Sequence, residues 1–187
     1  MNQVYRTIVA DPPWDIPQGG SAKSSSWYRP VPGRLSYEAM SVEQMMALPI
    51  RDLAQDDSHL YLWTVNAFVE RAYKLARGWG FRPVTLLAWC KTPRGLGLGG
   101  AYVQTTEFIL FCRRGSLKTD RRVDTSWWNW KRPEGGTGPM HSRKPDAFLD
   151  LVESVSPGPY LELFARRQRL GWDTWGNEAL EHVEIAS

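Results

Sequence analysis

Two short apolar runs, 59–65 (His-Leu-Tyr-Leu-Trp-Thr-Val) and 82–89 (Arg-Pro-Val-Thr-Leu-Leu-Ala-Trp), flank a helical stretch, and this order restricts the fold more than any other feature. Phe68, Ala72, Leu75 and Ala76 recur between them at helical spacing. Asn66 is placed to cap a helix over 67–77, and Gly78-Trp79-Gly80 ends it. Strand, helix, strand in that order predicts a right-handed parallel unit and an α/β sheet covered by helices. The rest of the chain agrees. A buried strand is expected over 7–10, and a short helix starts at Ser41, where Gln44 completes a capping box, and closes at Pro49. Strands are expected over 107–112 and 160–164. Between them a helix opens at Pro145, shows Phe148, Leu149, Val152 and Val155 on its apolar face, and stops at Ser156-Pro157-Gly158-Pro159.

At 187 residues the chain is expected to form one domain, with about 70% of its unfolded surface buried. Long loops fall at about 16–35, 91–102 and 118–140. The first reads either as a lid or binding loop or as a surface insertion. A net charge of +3 gives no general attraction for polyanions, so any such partner must be met by local clusters. Cys90 and Cys112 sit in apolar runs and read as reduced core thiols of a cytosolic protein. With no signal-peptide pattern and no run near the roughly 18 apolar residues of a membrane span, a cytoplasmic location is expected.

Asp11-Pro12-Pro13-Trp14 follows the first apolar run directly. Neither proline can donate to a sheet ladder, so pairing stops there while their carbonyls remain acceptors. At the carboxyl end of a strand, where open α/β sheets bind ligands, such a corner suits a planar group bearing an exocyclic amine. The same four residues also read as a Pro-Pro turn with a buried Trp. Farther on, Arg113, Arg114, Lys118, Arg121 and Arg122 lead to Trp127-Trp128-Asn129-Trp130-Lys131-Arg132. In a chain with ten Trp, cations interleaved with rings suit unpaired nucleic acid: charge for phosphates and stacking for bases. The alternative is a loop whose tryptophans fold back onto the domain. Gly95-Leu96-Gly97-Leu98-Gly99-Gly100 has the spacing of a nucleotide fingerprint, but a strand rather than a helix follows, so it reads as a loop. Glu162, near the end of a strand, suits a ribose diol or an ion pair with Arg166 or Arg167.

Taken together, Asp11-Pro12-Pro13-Trp14, Tyr37 with Met40, His141-Ser142-Arg143-Lys144-Pro145-Asp146, Glu162-Leu163-Phe164-Ala165-Arg166 and the segment from Trp172 to Glu178 resemble the MT-A70 family, in the same order. The resemblance covers 8–178. It implies a Rossmann-like methyltransferase fold, a mostly parallel sheet flanked by helices, with the catalytic motif ahead of the cofactor-binding motif. It further implies transfer of a methyl group from S-adenosylmethionine, with no metal, to the N6 amine of adenine in nucleic acid, DNA favoured over RNA.

Carried over by resemblance, Asp11, Pro12, Pro13 and Trp14 form the catalytic corner. Asp11 and the Pro12 carbonyl hold the amine, while Trp14, with Pro13, faces the flipped or unpaired base. Lys144 meets the cofactor carboxylate and Glu162 its ribose, with Asp11, Phe164, Arg166, Asn177 and Glu178 completing that site. Trp27, Tyr28, Tyr37, Lys91, Trp127, Trp128 and Trp130 are the candidate contacts to substrate. Two other readings are an inactive nucleic-acid-binding partner of the same fold and a methyltransferase for a protein amide nitrogen. Trp rather than Tyr after the prolines, with the basic-aromatic segment, favours a base.

Overall fold

The computed structural model describes residues 3–14, 39–91, 102–131, 143–166 and 168–176. The strands are β1 (Tyr5–Ala10), β2 (Ala54–Val65), β3 (Arg82–Cys90), β4 (Thr106–Arg114), β5 (Trp127–Trp128), β6 (Tyr160–Leu163) and β7 (Trp172–Trp175). The helices are α1 (Val42–Ala47), α2 (Ile50–Leu53), α3 (Val69–Gly78) and α4 (Asp146–Val155). The strands form one sheet in the order β5-β3-β4-β2-β1-β6-β7. Only the pairings of β4, with β2 and with β3, are antiparallel; the others run parallel. This is the α/β sheet that the strand–helix–strand order predicts, and it is mostly parallel and flanked by helices like the Rossmann-like fold that the family resemblance implies.

Side chains alternate across the sheet, so each central strand feeds two cores. On one face Ile8, Ala10, Leu60 and Leu62 pack against Met45, Leu53, Leu75 and Ala76 from α1, α2 and α3. On the other, Val9, Tyr61, Trp63 and Phe111 meet Phe148, Leu149 and Val152 of α4. The capping box forms as expected: Ser41 Oγ accepts from the Gln44 N–H at 3.2 Å, and Gln44 Oε1 from the Ser41 N–H at 2.7 Å.

The fold adds two unexpected elements, α2 and β7, and departs from the expectations in four further places. β2 begins at Ala54, five residues earlier than 59, because its polar start still pairs with β1 through Tyr5. β2 and β3 are parallel but not adjacent, since the antiparallel β4 lies between them. Asn66 makes no cap; it opens a single 3₁₀ turn, Asn66–Phe68, and α3 starts at Val69. Within the expected loop at 118–140, Trp127–Trp128 adds a short parallel strand to β3. The glycine run at 95–100 lies outside the described residues.

Below the carboxyl ends of the parallel strands, a buried polar chain ties the sheet to the end of α4. The Leu117 carbonyl can only accept, so His59 Nε2 carries the proton it receives at 3.1 Å. His59 Nδ1 then accepts from Ser156 Oγ at 2.8 Å, and Ser156 Oγ accepts from the Tyr61 hydroxyl at 2.8 Å. Burial, with the nearby Arg113 charge, holds the His59 pKa below its ordinary value and outweighs the opposing pull of the Leu117 carbonyl. The folded state therefore binds fewer protons than the unfolded one just below pH 6.5, and stability falls as pH drops through that region. Melting curves at pH 7.5 and 5.5 are expected to show this loss, and a His59→Gln protein, less stable throughout, is expected to show a shallower one.

Candidate active site

The carboxyl ends of β1, β2, β3 and β6 meet at one edge of the sheet. The start of β4 joins them because that strand runs backwards, pairing Glu107 with Val65 and with Trp89. β1 runs straight into Asp11, whose N–H reaches the Leu163 carbonyl at 3.4 Å. Pro12 and Pro13 end the pairing. The Trp14 N–H returns to the Pro12 carbonyl at 2.8 Å, and the Met40 N–H meets the Pro13 carbonyl at 3.0 Å. A carbonyl has two lone pairs, so Pro12 keeps one for a ligand.

A row of alternating charges crosses this edge. Lys144 Nζ donates to Asp11 Oδ2 at 2.8 Å and stands 3.5 Å from Glu107 Oε2; Lys91 Nζ holds Glu107 Oε1 at 2.7 Å. All four side chains are 13–19% exposed, so their pairing is not diluted by bulk water. Burial would lower the Lys144 ammonium, but Asp11 and Glu107 outweigh it and hold the pKa above its ordinary value. Burial would raise the Glu107 carboxyl, yet Lys144 and Lys91 hold it below. Lys144 also stands over the Trp63 ring, 5.1 Å from its centroid. The pair therefore keeps Asp11 fixed, with Oδ2 occupied and Oδ1 making no hydrogen bond to the described residues.

Glu162 lies beside this row on β6, in register with Val9. Its Oε2 is buried without a hydrogen-bond partner. Burial, with the Asp11 charge adding to it, pushes its pKa up to about 7. No ion pair with Arg166 accounts for this carboxyl, and Arg167 lies outside the described residues. After β6 the chain turns sharply at Phe164, whose φ of 61° is unusual for an aromatic residue. Phe164 packs edge-on against Trp175, and the Ala165 N–H bonds the Trp175 carbonyl at 3.0 Å. Gly176 completes this close approach, because a Cβ there would lie 2.6 Å from the Ala165 backbone. Arg166 follows, near enough for its charge to act on Lys144.

The aromatic candidates are arranged differently from the expectation. Trp14 is 4% exposed: its ring stacks on Phe68 and its Nε1–H donates to the Trp63 carbonyl at 3.0 Å. It braces the corner from within the core rather than offering a face to a base. Trp128 and Trp130 stack on each other at 5.0 Å, and Trp130 packs against Phe148, so of the three only Trp127, at 58%, is strongly exposed. Lys91 is held by Glu107 and lies over Trp89. Trp27, Tyr28, Tyr37, Asn177 and Glu178 lie outside the described residues. Glu107 is the site residue that sequence reasoning missed; its one signal is a carboxylate opening an otherwise apolar strand.

An acidic corner held by a lysine stands next to a partnerless carboxyl at the carboxyl ends of the parallel strands, where open α/β sheets bind their ligands. The MT-A70 family profile matches residues 5–178, and the chain belongs to that family. Among its relatives is the type II methyltransferase M.MunI of a Mycoplasma species, 28% identical over 97% of this chain and 81% of that protein. Two human proteins also match. The N(6)-adenine-specific methyltransferase METTL4 is 29% identical over 97% of this chain, and the N(6)-adenosine-methyltransferase catalytic subunit METTL3 26% over 93%. The chain spans only 39% and 28% of their lengths.

Proposed function

We propose that the protein transfers a methyl group to the N6 amine of adenine in nucleic acid, with DNA favoured over RNA. The observation that carries this reading is the Asp11 carboxylate, fixed through one oxygen by Lys144 while the other makes no hydrogen bond to the described residues, and followed directly by Pro12, whose carbonyl accepts the Trp14 N–H. S-adenosylmethionine, when bound, supplies a methyl group already activated on a sulfonium. The residues present fit such a cofactor: the orphaned Glu162 carboxyl suits two ribose hydroxyls, and the Phe164–Arg166 turn stands next to it.

The work left to the protein is positioning. An adenine amine is a weak nucleophile because its lone pair is conjugated with the ring. Asp11 Oδ1 and the Pro12 carbonyl accept its two N–H groups, pyramidalise the nitrogen and turn the lone pair toward the methyl group. The lysine keeps Asp11 from swinging away, and the proton released after transfer passes to Asp11 Oδ1 and on to water. A paired adenine must first leave its stack, at a cost of a few kcal/mol. This activity suits a cytoplasmic protein, and no helix of the described residues is long and apolar enough to cross a membrane.

Glu162 makes cofactor binding depend on pH. An ionised carboxylate accepts both hydroxyls, and the free protein must lose a proton from Glu162 to provide it below about pH 7. Affinity is expected to rise roughly 10-fold between pH 6 and 8, with proton release on binding at pH 6. Calorimetry in buffers of different ionisation enthalpy measures both, and a Glu162→Gln protein is expected to bind weakly and without pH dependence. The function itself is tested with labelled S-adenosylmethionine and parallel DNA and RNA pools. Label in adenine of either pool supports the reading, and label in neither, or in added protein instead, contradicts it.

A further inference from the structure

A cavity of about 470 Å³ lies on the α4 face of the sheet, away from the row of charges at the edge. Its floor is the middle of β3 and β4, with Leu87 and Phe111; Trp128 stands in its wall. The segment that follows β4 closes it. That segment is tied down at three points: the Leu117 carbonyl to His59, the Asp120 N–H to the Val155 carbonyl at 2.8 Å, and the Ser126 carbonyl to the Ala88 N–H at 2.8 Å. Arg121 and Arg122 lie between the ties and line the cavity together with Arg113.

These three guanidinium groups form no ion pair among the described residues, and the Nε of Arg113 is buried without an acceptor. Arg113 rests instead over the Phe111 ring, 5.6 Å from its centroid. One carboxylate, Asp124, shares the wall, so the cavity keeps a net positive charge. An apolar floor beneath three unpaired guanidiniums fits a flat ring that carries an anion. A guanidinium offers planar, forked donors to phosphate, and the volume is within the range of small-ligand sites.

The distance to the active edge favours one source for that ligand. From Glu107 to Phe111 along β4 is four residues, about 13 Å. That is the length of about four stacked nucleotides, fewer if the strand is extended. We propose that this cavity binds an unpaired nucleotide of the substrate strand, its base against Leu87 and the exposed Val84 and its phosphate among Arg113, Arg121 and Arg122. The protein thus grips the strand at two points, the target adenine at the edge and a flanking nucleotide here. The proposal rests on reading the protein as a nucleic-acid methyltransferase.

The test is binding of fluorescently labelled single-stranded oligonucleotides, read by anisotropy, with an Arg121→Gln/Arg122→Gln protein. Both residues are exposed, so the fold is expected to survive. Arg113→Gln serves as a second variant. Oligonucleotides carry one adenine with six nucleotides on each side, or six on one side and one on the other. The wild type is expected to lose roughly 10-fold in affinity when one particular side is trimmed, and the double variant to bind both forms alike, at the weaker level. The slope of log affinity against log salt is expected to fall by about 0.7, one phosphate contact. In turnover, KM for the strand rises while kcat at saturation and cofactor affinity hold. Equal binding by wild type and variants, with methylation intact, overturns the second grip and leaves the catalytic reading standing. A wild type that binds no strand overturns both. If a free mononucleotide binds the wild type but not the variant while strand affinity is equal, the cavity serves a free effector and the proposal fails.

Discussion

An Asp11→Asn protein is expected to transfer methyl groups at least about 100-fold more slowly than the wild type while its affinity for S-adenosylmethionine changes by less than about 10-fold. The substitution keeps the shape of the side chain and removes its charge. The amide still occupies the corner at the end of β1, but it presents a donor as well as an acceptor to the adenine amine. It also weakens the contact with Lys144, which in the wild type fixes the carboxylate at 2.8 Å. Rate and affinity are expected to separate, because in the proposed function Asp11 holds the amine whereas Glu162 holds the cofactor ribose. Single-turnover transfer and calorimetry on the same preparation measure the two. A parallel loss of both would place Asp11 in cofactor binding instead, and an unchanged rate would remove it from the chemistry.

The second large effect is expected at Lys144. Lys144→Met leaves the Asp11 and Glu107 carboxylates facing each other, with Lys91 still paired to Glu107 but the cation between them gone. Removing one partner of a buried ion pair costs about 3 kcal/mol, which lowers Tm by about 6–12 °C for a protein of this size. Transfer is expected to fall as well, since the Asp11 carboxylate loses its contact with Lys144. Stability and activity are separable here. Adding Glu107→Gln to Lys144→Met removes one of the two opposed charges, and much of the lost Tm is expected to return while transfer stays low. If the double variant melts no higher than the single one, the row of charges does not act as a unit. Thermal melts at pH 7.5 beside transfer rates decide this.

How much of this was legible in the sequence follows from what each residue depends on. The corner and the capping box are local: two prolines must end a ladder, and Ser41 with Gln44 must close a turn, whatever surrounds them. Glu162 was legible as a candidate because it stands at the end of a strand. Lys144 was a candidate only through the family resemblance, as a contact for a cofactor carboxylate, whereas in the structure it holds Asp11 and stands against Glu107. That second partner was not legible. Glu107 opens β4, and in a parallel strand that position would lie at the opposite edge of the sheet. Only the reversal of β4 brings it to Asp11, and strand direction is set by pairing between distant segments. The same limit applies to the tryptophans. A ring beside prolines, or among arginines, reads alike whether it faces a ligand or the core. Trp14 went inward because Phe68 and the Trp63 carbonyl satisfy both its face and its N–H. Trp128 and Trp130 took each other as partners.

The most direct test of the account is the identity of the methylated base. Nucleic acid treated with the protein and S-adenosylmethionine is digested to nucleosides and separated by mass spectrometry, with the Asp11→Asn protein alongside. The account predicts N6-methyladenine as the product of the wild type and its near absence with the variant. Methyl groups on cytosine, on a ring nitrogen of adenine, or in equal amount with both proteins would contradict it.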